Sequence, residues 1–287
     1  MVYLDHNATT PLDARVLAAM QPYLAGPYAN PSSSHRYGRA ARDAIETARA
    51  QVAALVGCAA GEVTFTSGGT EANNLAIKGI AARNTPGRLL HSAIEHPSVV
   101  EPMQALARAG WRVETIAVDT EGRIDAAALA RQLEGGDVRL VSCMLANNET
   151  GVLQDLARTA ALARGAAAPL HVDAVQAAGK VAVNFAEGHA ALMSLSSHKI
   201  HGPKGAGALV VDPVIDLEPL LHGGGQERGL RGGTENVAAL VGFGAAAELA
   251  QRELDARAAH AKHLRAHLEA ALVRIPGLTL FSALAPR

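Results

Sequence analysis

A lysine that follows an apolar run is the first residue of this chain whose setting suggests chemistry. The chain has only five lysines. Lys199 comes after residues 190–193, which are typical of a buried strand, and before a Gly/Pro cluster that must be a loop. An amine at a strand end loses its proton more readily when it is desolvated, and it can then attack a carbonyl carbon. Lys199 could equally be a surface lysine after a strand, and for a lysine taken alone that is the commoner case.

Two earlier stretches supply groups that a cofactor would need beside such an amine. Asp173 follows a short apolar run at 169–172, and ligands of open α/β sheets bind outside the carboxyl ends of the strands. Its carboxylate could pair with a protonated pyridine nitrogen, or it could cap a helix over 174–178. Residues 62–74 predict a strand, a glycine turn and a helix that begins near Thr70. Backbone N–H groups and the Thr70 hydroxyl can bind a phosphate there, although an ordinary βα turn has the same composition.

These three stretches together require a ligand with a phosphate, an aromatic nitrogen and an aldehyde, and pyridoxal phosphate (PLP) has all three. The chain also resembles a known family, the PLP-dependent cysteine desulfurases of the NifS/IscS type, which are relatives of the class V aminotransferases. The matching segments occur in the family's order through nearly the whole chain. They are residues 3–11, 30–33, 65–74, 95–96, 147–151, 171–176, 196–205, 222–229 and 233–234.

The resemblance implies roles for ten residues that match the family's motifs. Lys199 would hold PLP as a Schiff base and move protons, while His96 would stack on the ring and take part in proton transfer. Asp173 would keep the ring nitrogen protonated, and Gln176 would donate a hydrogen bond to the phenolic oxygen. The other implied contacts to the cofactor come from Gly69, Thr70, Asn148, Ser196, His198 and, toward the phosphate of the partner subunit, Thr234. Each residue alone could instead be a cap, a turn residue or a surface side chain.

The same resemblance implies a reaction in which L-cysteine becomes L-alanine. The sulfur would pass to an enzyme cysteine as a persulfide, for iron–sulfur clusters or other acceptors. The implied partners are a second copy of the chain in a homodimer and a sulfur-acceptor scaffold protein. The alternatives are a PLP-binding chain without desulfurase activity and an enzyme similar to a selenocysteine lyase.

The two cysteines of the chain do not match the family's catalytic cysteine. In the family that cysteine, and the arginine that holds the substrate carboxylate, lie well after the position of Leu280. Cys143 falls in the middle of a predicted strand, as an inert core residue would, and Cys58 follows a glycine that ends a helix. The chain therefore resembles a family member that lacks its C-terminal part.

Composition and charge argue against several other classes of protein. Apolar residues make up 49% of the chain but aromatic residues only 3%, so aliphatic side chains must fill the core. A net charge of −1 without a basic patch argues against nucleic-acid binding, and no apolar run is long enough to span a membrane. Two cysteines, with no signal peptide expected, predict a cytoplasmic location. His260, His263 and His267 share a helical face, but this spacing is a weak signal and we expect no metal site.

Strands and helices must alternate to position these groups. The predicted strands are 62–66, 88–94, 112–118, 138–145, 169–172, 180–183, 190–195, 206–211 and 278–281. The predicted helices are 13–24, 35–56, 70–83, 97–109, 125–134, 154–164 and one long helix over 235–273.

This alternation predicts an α/β fold with a mostly parallel sheet and helices on both faces. The resemblance implies the PLP-dependent transferase fold of type I, with a seven-stranded sheet. We expect residues 12–255 to form a large PLP-binding domain. Residues 1–11 and 256–287 would then belong to a small α/β domain that is incomplete at its C-terminal end.

Overall fold

A seven-stranded sheet lies at the centre of the computed structural model, which describes residues 2–26 and 28–287. The strands are β1 (Val63–Thr66), β2 (Arg88–Ser92), β3 (Arg112–Ile116), β4 (Val138–Met144), β5 (Leu170–Asp173), β6 (Leu192–Ser196) and β7 (Gly207–Val211). Their spatial order is β1-β7-β6-β5-β4-β2-β3. Strand β7 pairs antiparallel with β1 and β6, and the other neighbours are parallel. The predicted mostly parallel sheet is therefore confirmed.

Helices cover both faces of this sheet, as predicted. They are α1 (Ala14–Ala25), α2 (Arg36–Val56), α3 (Gly69–Ala82), α4 (Pro97–Arg108), α5 (Ala126–Glu134), α6 (Leu156–Gly165), α7 (Phe185–Gly188), α8 (Val237–Arg252) and α9 (Leu254–Leu272). Helices α2 and α8 pack on one face around a large apolar cluster, and α3 and α4 pack on the other around a smaller one. Burial of these two amphipathic layers stabilises the sheet between them.

Capping residues set several helix boundaries. The Asp13 carboxylate accepts a hydrogen bond from the backbone N–H of Arg15 and begins α1. Gly57 ends α2 in the left-handed conformation at φ 63°, which glycine adopts without steric cost. Both boundaries agree with the sequence prediction.

Strand β5 shows how the fold places polar groups at the site. Leu170 and Val172 face the cluster beneath α2 and α8. Because side chains alternate along a strand, His171 and Asp173 point to the opposite face, toward α3 and α4. Asp173 is the last residue of the strand, so its carboxylate lies at the carboxyl edge of the sheet.

Two predicted elements around residue 180 are wrong. The proposed helix over 174–178 is a series of turns, and the proposed strand over 180–183 is reduced to an isolated bridge between Ala178 and Val181. The cause is Gly179, which has a φ of 73°. A Cβ at this position would lie 2.7 Å from Ile200, so the backbone turns at a point of close packing.

The C-terminal predictions are also wrong in two places. The long helix expected over 235–273 is divided at Glu253, which leaves helical geometry at φ −102° and ψ 7°. The Glu253 carboxylate pairs there with Arg15 of α1 and with Arg257. Residues 278–281 form no strand, because no strand lies beside them among the described residues.

Across residues 2–26 and 28–287, every helix is too short or too polar to cross a lipid bilayer.

Candidate active site

A pocket of about 280 Å³ opens at the carboxyl ends of β4, β5 and β6. Nine of the ten predicted site residues line it, namely Gly69, Thr70, His96, Asn148, Asp173, Gln176, Ser196, His198 and Lys199. The tenth, Thr234, is exposed on the glycine-rich loop and does not line this pocket. A larger cavity of about 670 Å³ lies beside α5, α6 and Pro286, but it contains none of the predicted residues.

Lys199 ends a short 3₁₀ turn that follows β6 directly. Its side chain is half-buried, and Nζ donates hydrogen bonds to the carbonyl oxygen of Asn7 and, at 2.9 Å, to that of Ala8. Burial lowers the pKa of Lys199, and the nearby carboxylates of Asp173 and Asp5 oppose part of this shift. This amine is therefore more readily neutral than a surface lysine, as a nucleophile must be.

Asp173 is buried, and both of its carboxylate oxygens have hydrogen-bond donors. Oδ2 accepts from Asn73 Nδ2 at 2.8 Å, and Oδ1 accepts from the backbone N–H of Val175 at 3.0 Å. Burial raises the pKa of Asp173, while these hydrogen bonds and the nearby His96 and Lys199 lower it. The two donors fix the direction of the carboxylate in the pocket.

His96 is the N-terminal cap of α4. Its Nδ1 accepts from the backbone N–H of Ser98 at 3.1 Å and lies 2.7 Å from the Ser98 hydroxyl oxygen. Because a backbone N–H only donates, Nδ1 must be an acceptor, and the proton of the neutral ring is on Nε2. Sequence reasoning identified His96 but missed Ser98 and Asn73. Both had looked like ordinary helix residues.

The start of α3 forms one end of the pocket. Gly207 of β7 lies so close to this turn that a Cβ on it would be 2.5 Å from the Gly68 Cα. The Ser196 hydroxyl is buried without a hydrogen-bond partner and also lines the pocket. A buried, unpaired hydroxyl beside a helix start is what an anionic ligand would satisfy. The pocket therefore offers a partner for each group of PLP. This end fits the phosphate, Lys199 fits the aldehyde, and Asp173 fits the ring nitrogen.

The N-terminal segment crosses the mouth of the pocket and contacts the predicted site residues. Gln176 Nε2 donates to the Asn7 carbonyl at 2.9 Å, and Asn7 Nδ2 donates to the Asn148 carbonyl at 3.0 Å. Lys180, which the sequence reasoning overlooked, donates to Gln176 Oε1 at 2.5 Å. Burial, and then the charge of Lys199, lowers the pKa of Lys180 to about 8. The residues between Gln176 and Lys180 form turns rather than a helix, so their spacing gave no signal for this contact.

Neither cysteine is placed to accept sulfur. Cys143 is buried in β4, and burial raises the pKa of its thiol well above the usual value. Burial likewise raises the pKa of Cys58 to about 12. Since the thiolate is the reactive form and neither residue lines the pocket, both are poor sulfur acceptors in this arrangement.

The chain is an α/β protein with a pocket at the carboxyl edge of a mostly parallel sheet, the edge where open α/β sheets bind their ligands. Residues 2–287 match the family described as Aminotransferase class-V. The chain is 45% identical over 256 residues to the cysteine desulfurase IscS of Dictyoglomus turgidum, an alignment that covers 88% of this chain and 65% of that relative.

Two solved structures are similar over most of the chain. A NifS-like protein from Rickettsia africae superposes with a TM-score of 0.94 at 37% identity, over 100% of this chain and 79% of that one. SspA in complex with cysteine superposes with a TM-score of 0.83 at 37% identity, over 86% and 72% of the two chains. The chain belongs to the class V aminotransferase family, and within it to the cysteine desulfurases of the NifS/IscS type. The fold is the type I fold of PLP-dependent transferases, as the sequence predicted.

Proposed function

We propose that this chain forms the cofactor site of a PLP-dependent cysteine desulfurase, which converts L-cysteine to L-alanine and transfers the sulfur as a persulfide. The observation that carries the proposal is the meeting of Lys199, Asp173 and the start of α3 in one pocket. Relatives named cysteine desulfurase, and SspA solved with cysteine, support the choice of substrate. The family as a whole supports the choice of PLP.

Each residue has a task that follows from its surroundings. PLP, when bound, withdraws electrons from the substrate and so eases the loss of the Cα proton. Lys199 Nζ would bind the aldehyde carbon and move a proton at the substrate Cα, which requires the lowered pKa that burial gives it. Asp173 would hold a proton on the ring nitrogen. Ser196 and the start of α3 would bind the phosphate.

The sulfur step needs a thiolate that attacks the substrate sulfur. An S–S bond forms, the Cβ–S bond breaks, and the electron pair of that bond returns to the substrate, which becomes alanine after protonation. The proposal assigns this thiolate to neither Cys58 nor Cys143, because neither lines the pocket. This observation also favours a second candidate function, in which the chain binds PLP and cysteine but does not convert cysteine to alanine unless another thiol is supplied.

The proposed assembly is a homodimer in the cytoplasm, with a sulfur-acceptor protein as a further partner. Thr234 is exposed and does not line the chain's own pocket. This position supports the proposed contact of Thr234 with the phosphate of the partner subunit.

Absorbance of the purified chain after addition of PLP tests the proposal. We expect a visible band for the wild type and for Lys262→Ala, a control in the exposed helix α9, but none for Lys199→Ala. L-cysteine should then change the band, and alanine should appear when a thiol is supplied. A wild-type chain without a band would refute the cofactor assignment. A band that responds to cysteine without alanine would favour the second candidate.

A further inference from the structure

A hydrogen-bonded path joins Asp173 to His96 through two residues that have no role in the proposed function. Asn73 of α3 is only 1% exposed, and its amide donates to Asp173 Oδ2 and to Ser98 Oγ, each at 2.8 Å. Ser98 Oγ lies 2.7 Å from His96 Nδ1. The four side chains therefore form one hydrogen-bonded path. It runs from Asp173 of β5 through Asn73 of α3 and Ser98 of α4 to His96, the N-terminal cap of α4.

With Asp173 ionised, the direction of every hydrogen bond in this path follows. The Asn73 amide has two N–H groups, and each is used on one acceptor. Turning the amide over would place its oxygen against the Asp173 carboxylate, where no proton would lie between them. Asn73 keeps its orientation although its own Oδ1 is buried without a partner. Ser98 Oγ accepts from Asn73, so its single proton is free to be donated to His96 Nδ1.

We propose that Asn73 is a positioning residue that holds Asp173 and, through Ser98, His96 as one unit. The inference rests on the proposed PLP function, in which these two residues contact the cofactor ring. Asn73 orients the carboxylate that would meet the ring nitrogen. By keeping the Ser98 hydroxyl proton directed at Nδ1, it adds a second hydrogen bond to the one that the Ser98 backbone N–H donates to the same nitrogen.

Removal of the Asn73 amide has two consequences that a loss of packing would not produce. Burial raises the pKa of Asp173 and the Asn73 hydrogen bond opposes that shift, so its loss leaves Asp173 easier to protonate. Ser98 would lose its donor and could turn its hydroxyl proton elsewhere, and His96 Nδ1 would then keep only the hydrogen bond from the Ser98 backbone N–H. Both changes should appear in the chain before any PLP is added.

The test compares Asn73→Leu, which has a similar volume but no donor, with Asn74→Leu. Asn74 is the neighbouring residue, half-buried, and its amide donates only to the Thr70 carbonyl. Carbon-13 NMR follows the Asp173 titration, assigned with Asp173→Asn, and nitrogen-15 NMR follows the chemical shift of His96 Nδ1, which reports the hydrogen bonds that this nitrogen accepts. We expect Asn73→Leu to raise the Asp173 pKa and to move the Nδ1 resonance, because the hydrogen bond from the Ser98 hydroxyl is lost while the one from the backbone N–H remains. We also expect it to weaken PLP binding by about tenfold or more, because a hydrogen bond to a charged group is lost. Asn74→Leu should change none of these.

An unchanged Asp173 titration and an unchanged His96 Nδ1 resonance in folded Asn73→Leu would overturn the proposal. If Asn73→Leu does not fold, Ser98→Ala decides instead, because it removes the hydroxyl proton and should move the His96 Nδ1 resonance. An unmoved Nδ1 resonance in Ser98→Ala would contradict the path. A wild-type chain that does not bind PLP would refute the proposed function alone, since both NMR measurements are made without the cofactor.

Discussion

Glu95 illustrates how burial changes the chemistry of a single carboxyl group beside the pocket. Its Oε1 accepts hydrogen bonds from the Ser92 hydroxyl and, at 2.6 Å, from the backbone N–H of Met144, while Oε2 is buried without a partner. Burial, aided by the negative charge of Asp173, raises the pKa of Glu95 to about 8. Glu95 is therefore mainly protonated at neutral pH. Asp173, rather than Glu95, is then the carboxylate that would pair with the ring nitrogen of the proposed cofactor.

The raised pKa of Glu95 predicts a specific pH dependence of stability. Its folded-state pKa of about 8 exceeds the ordinary value of 4.5. Because the folded chain holds this proton more tightly than the unfolded chain does, Glu95 stabilises the fold fully below the unfolded-state pKa of 4.5. This contribution is lost as pH rises toward 8. Relative to Glu95→Gln, the wild type should lose up to about 1.4 kcal/mol of unfolding free energy per pH unit in this window. Urea unfolding at pH 5, 6, 7 and 8 measures the difference.

The control for this prediction is Glu134→Gln, which changes an exposed glutamate at the end of α5. We expect its difference from the wild type to be independent of pH. If Glu95→Gln behaves in the same way, Glu95 is ionised in the folded chain and the assignment of a buried acid is incorrect.

At the scale of elements, an ion pair fastens the glycine-rich loop to the sheet. The Glu227 carboxylate accepts from Arg49 of α2 at 2.6 and 2.8 Å and from the backbone N–H of Phe65 at 2.8 Å. Both charged side chains are only 2% exposed. Glu227 and Arg228 have φ values of 47° and 56°, which non-glycine residues adopt at a cost. The buried pair holds the loop in this conformation.

Removal of one member of this pair should be costly. Glu227→Ala leaves the buried Arg49 guanidinium with the half-exposed Glu46 as its remaining charged partner, so we expect a loss of about 3 kcal/mol in unfolding free energy, the lower end for a broken buried pair. The double variant Arg49→Met with Glu227→Leu should recover most of it, because no buried charge remains. Arg123→Ala is the control, since it breaks the exposed pair with Asp119 and should cost at most about 1 kcal/mol. Equal losses in Glu227→Ala and the control would contradict the prediction.

Local patterns were sufficient to predict the mostly parallel sheet and the position of Thr70, Asp173 and Lys199 at one of its edges, whereas the roles of the other site residues were implied by the family resemblance. Apolar runs end at Asp173 and Ser196, and the carboxyl ends of neighbouring strands share one edge, so the pocket follows from topology. The Asn73 hydrogen bond to Asp173 joins residues 100 positions apart. No local pattern contains such a contact. The break at Glu253 was missed for the same reason, because one of its partners is Arg15 in the first helix.

At the scale of the whole molecule, burial is distributed unevenly between the last two helices. Ten residues of α8 are buried, including Leu240 and Phe243, whereas none of the described residues of α9 is. Large apolar side chains in and after α9 remain exposed, with Leu268 at 56% and Phe281 at 76%. Helix α9 therefore lies outside both hydrophobic clusters. A helix without tertiary packing is only marginally stable in water.

This difference predicts that α9 opens much more often than α8. Hydrogen exchange depends on the free energy of opening, and an unpacked helix frays locally while a buried one opens only with the core. Mass spectrometry of exchanging peptides should show α9 exchanging at least about tenfold faster than α8 in dilute protein. Glu269 of α9 forms ion pairs with Arg265 at 3.6 Å and with Arg287 at 3.0 Å, but both pairs are partly exposed and add little to the stability of the helix. Equal protection of both helices in dilute protein would mean that contacts absent from this chain's own fold cover α9. Protection that grows with protein concentration would identify a second copy as the source.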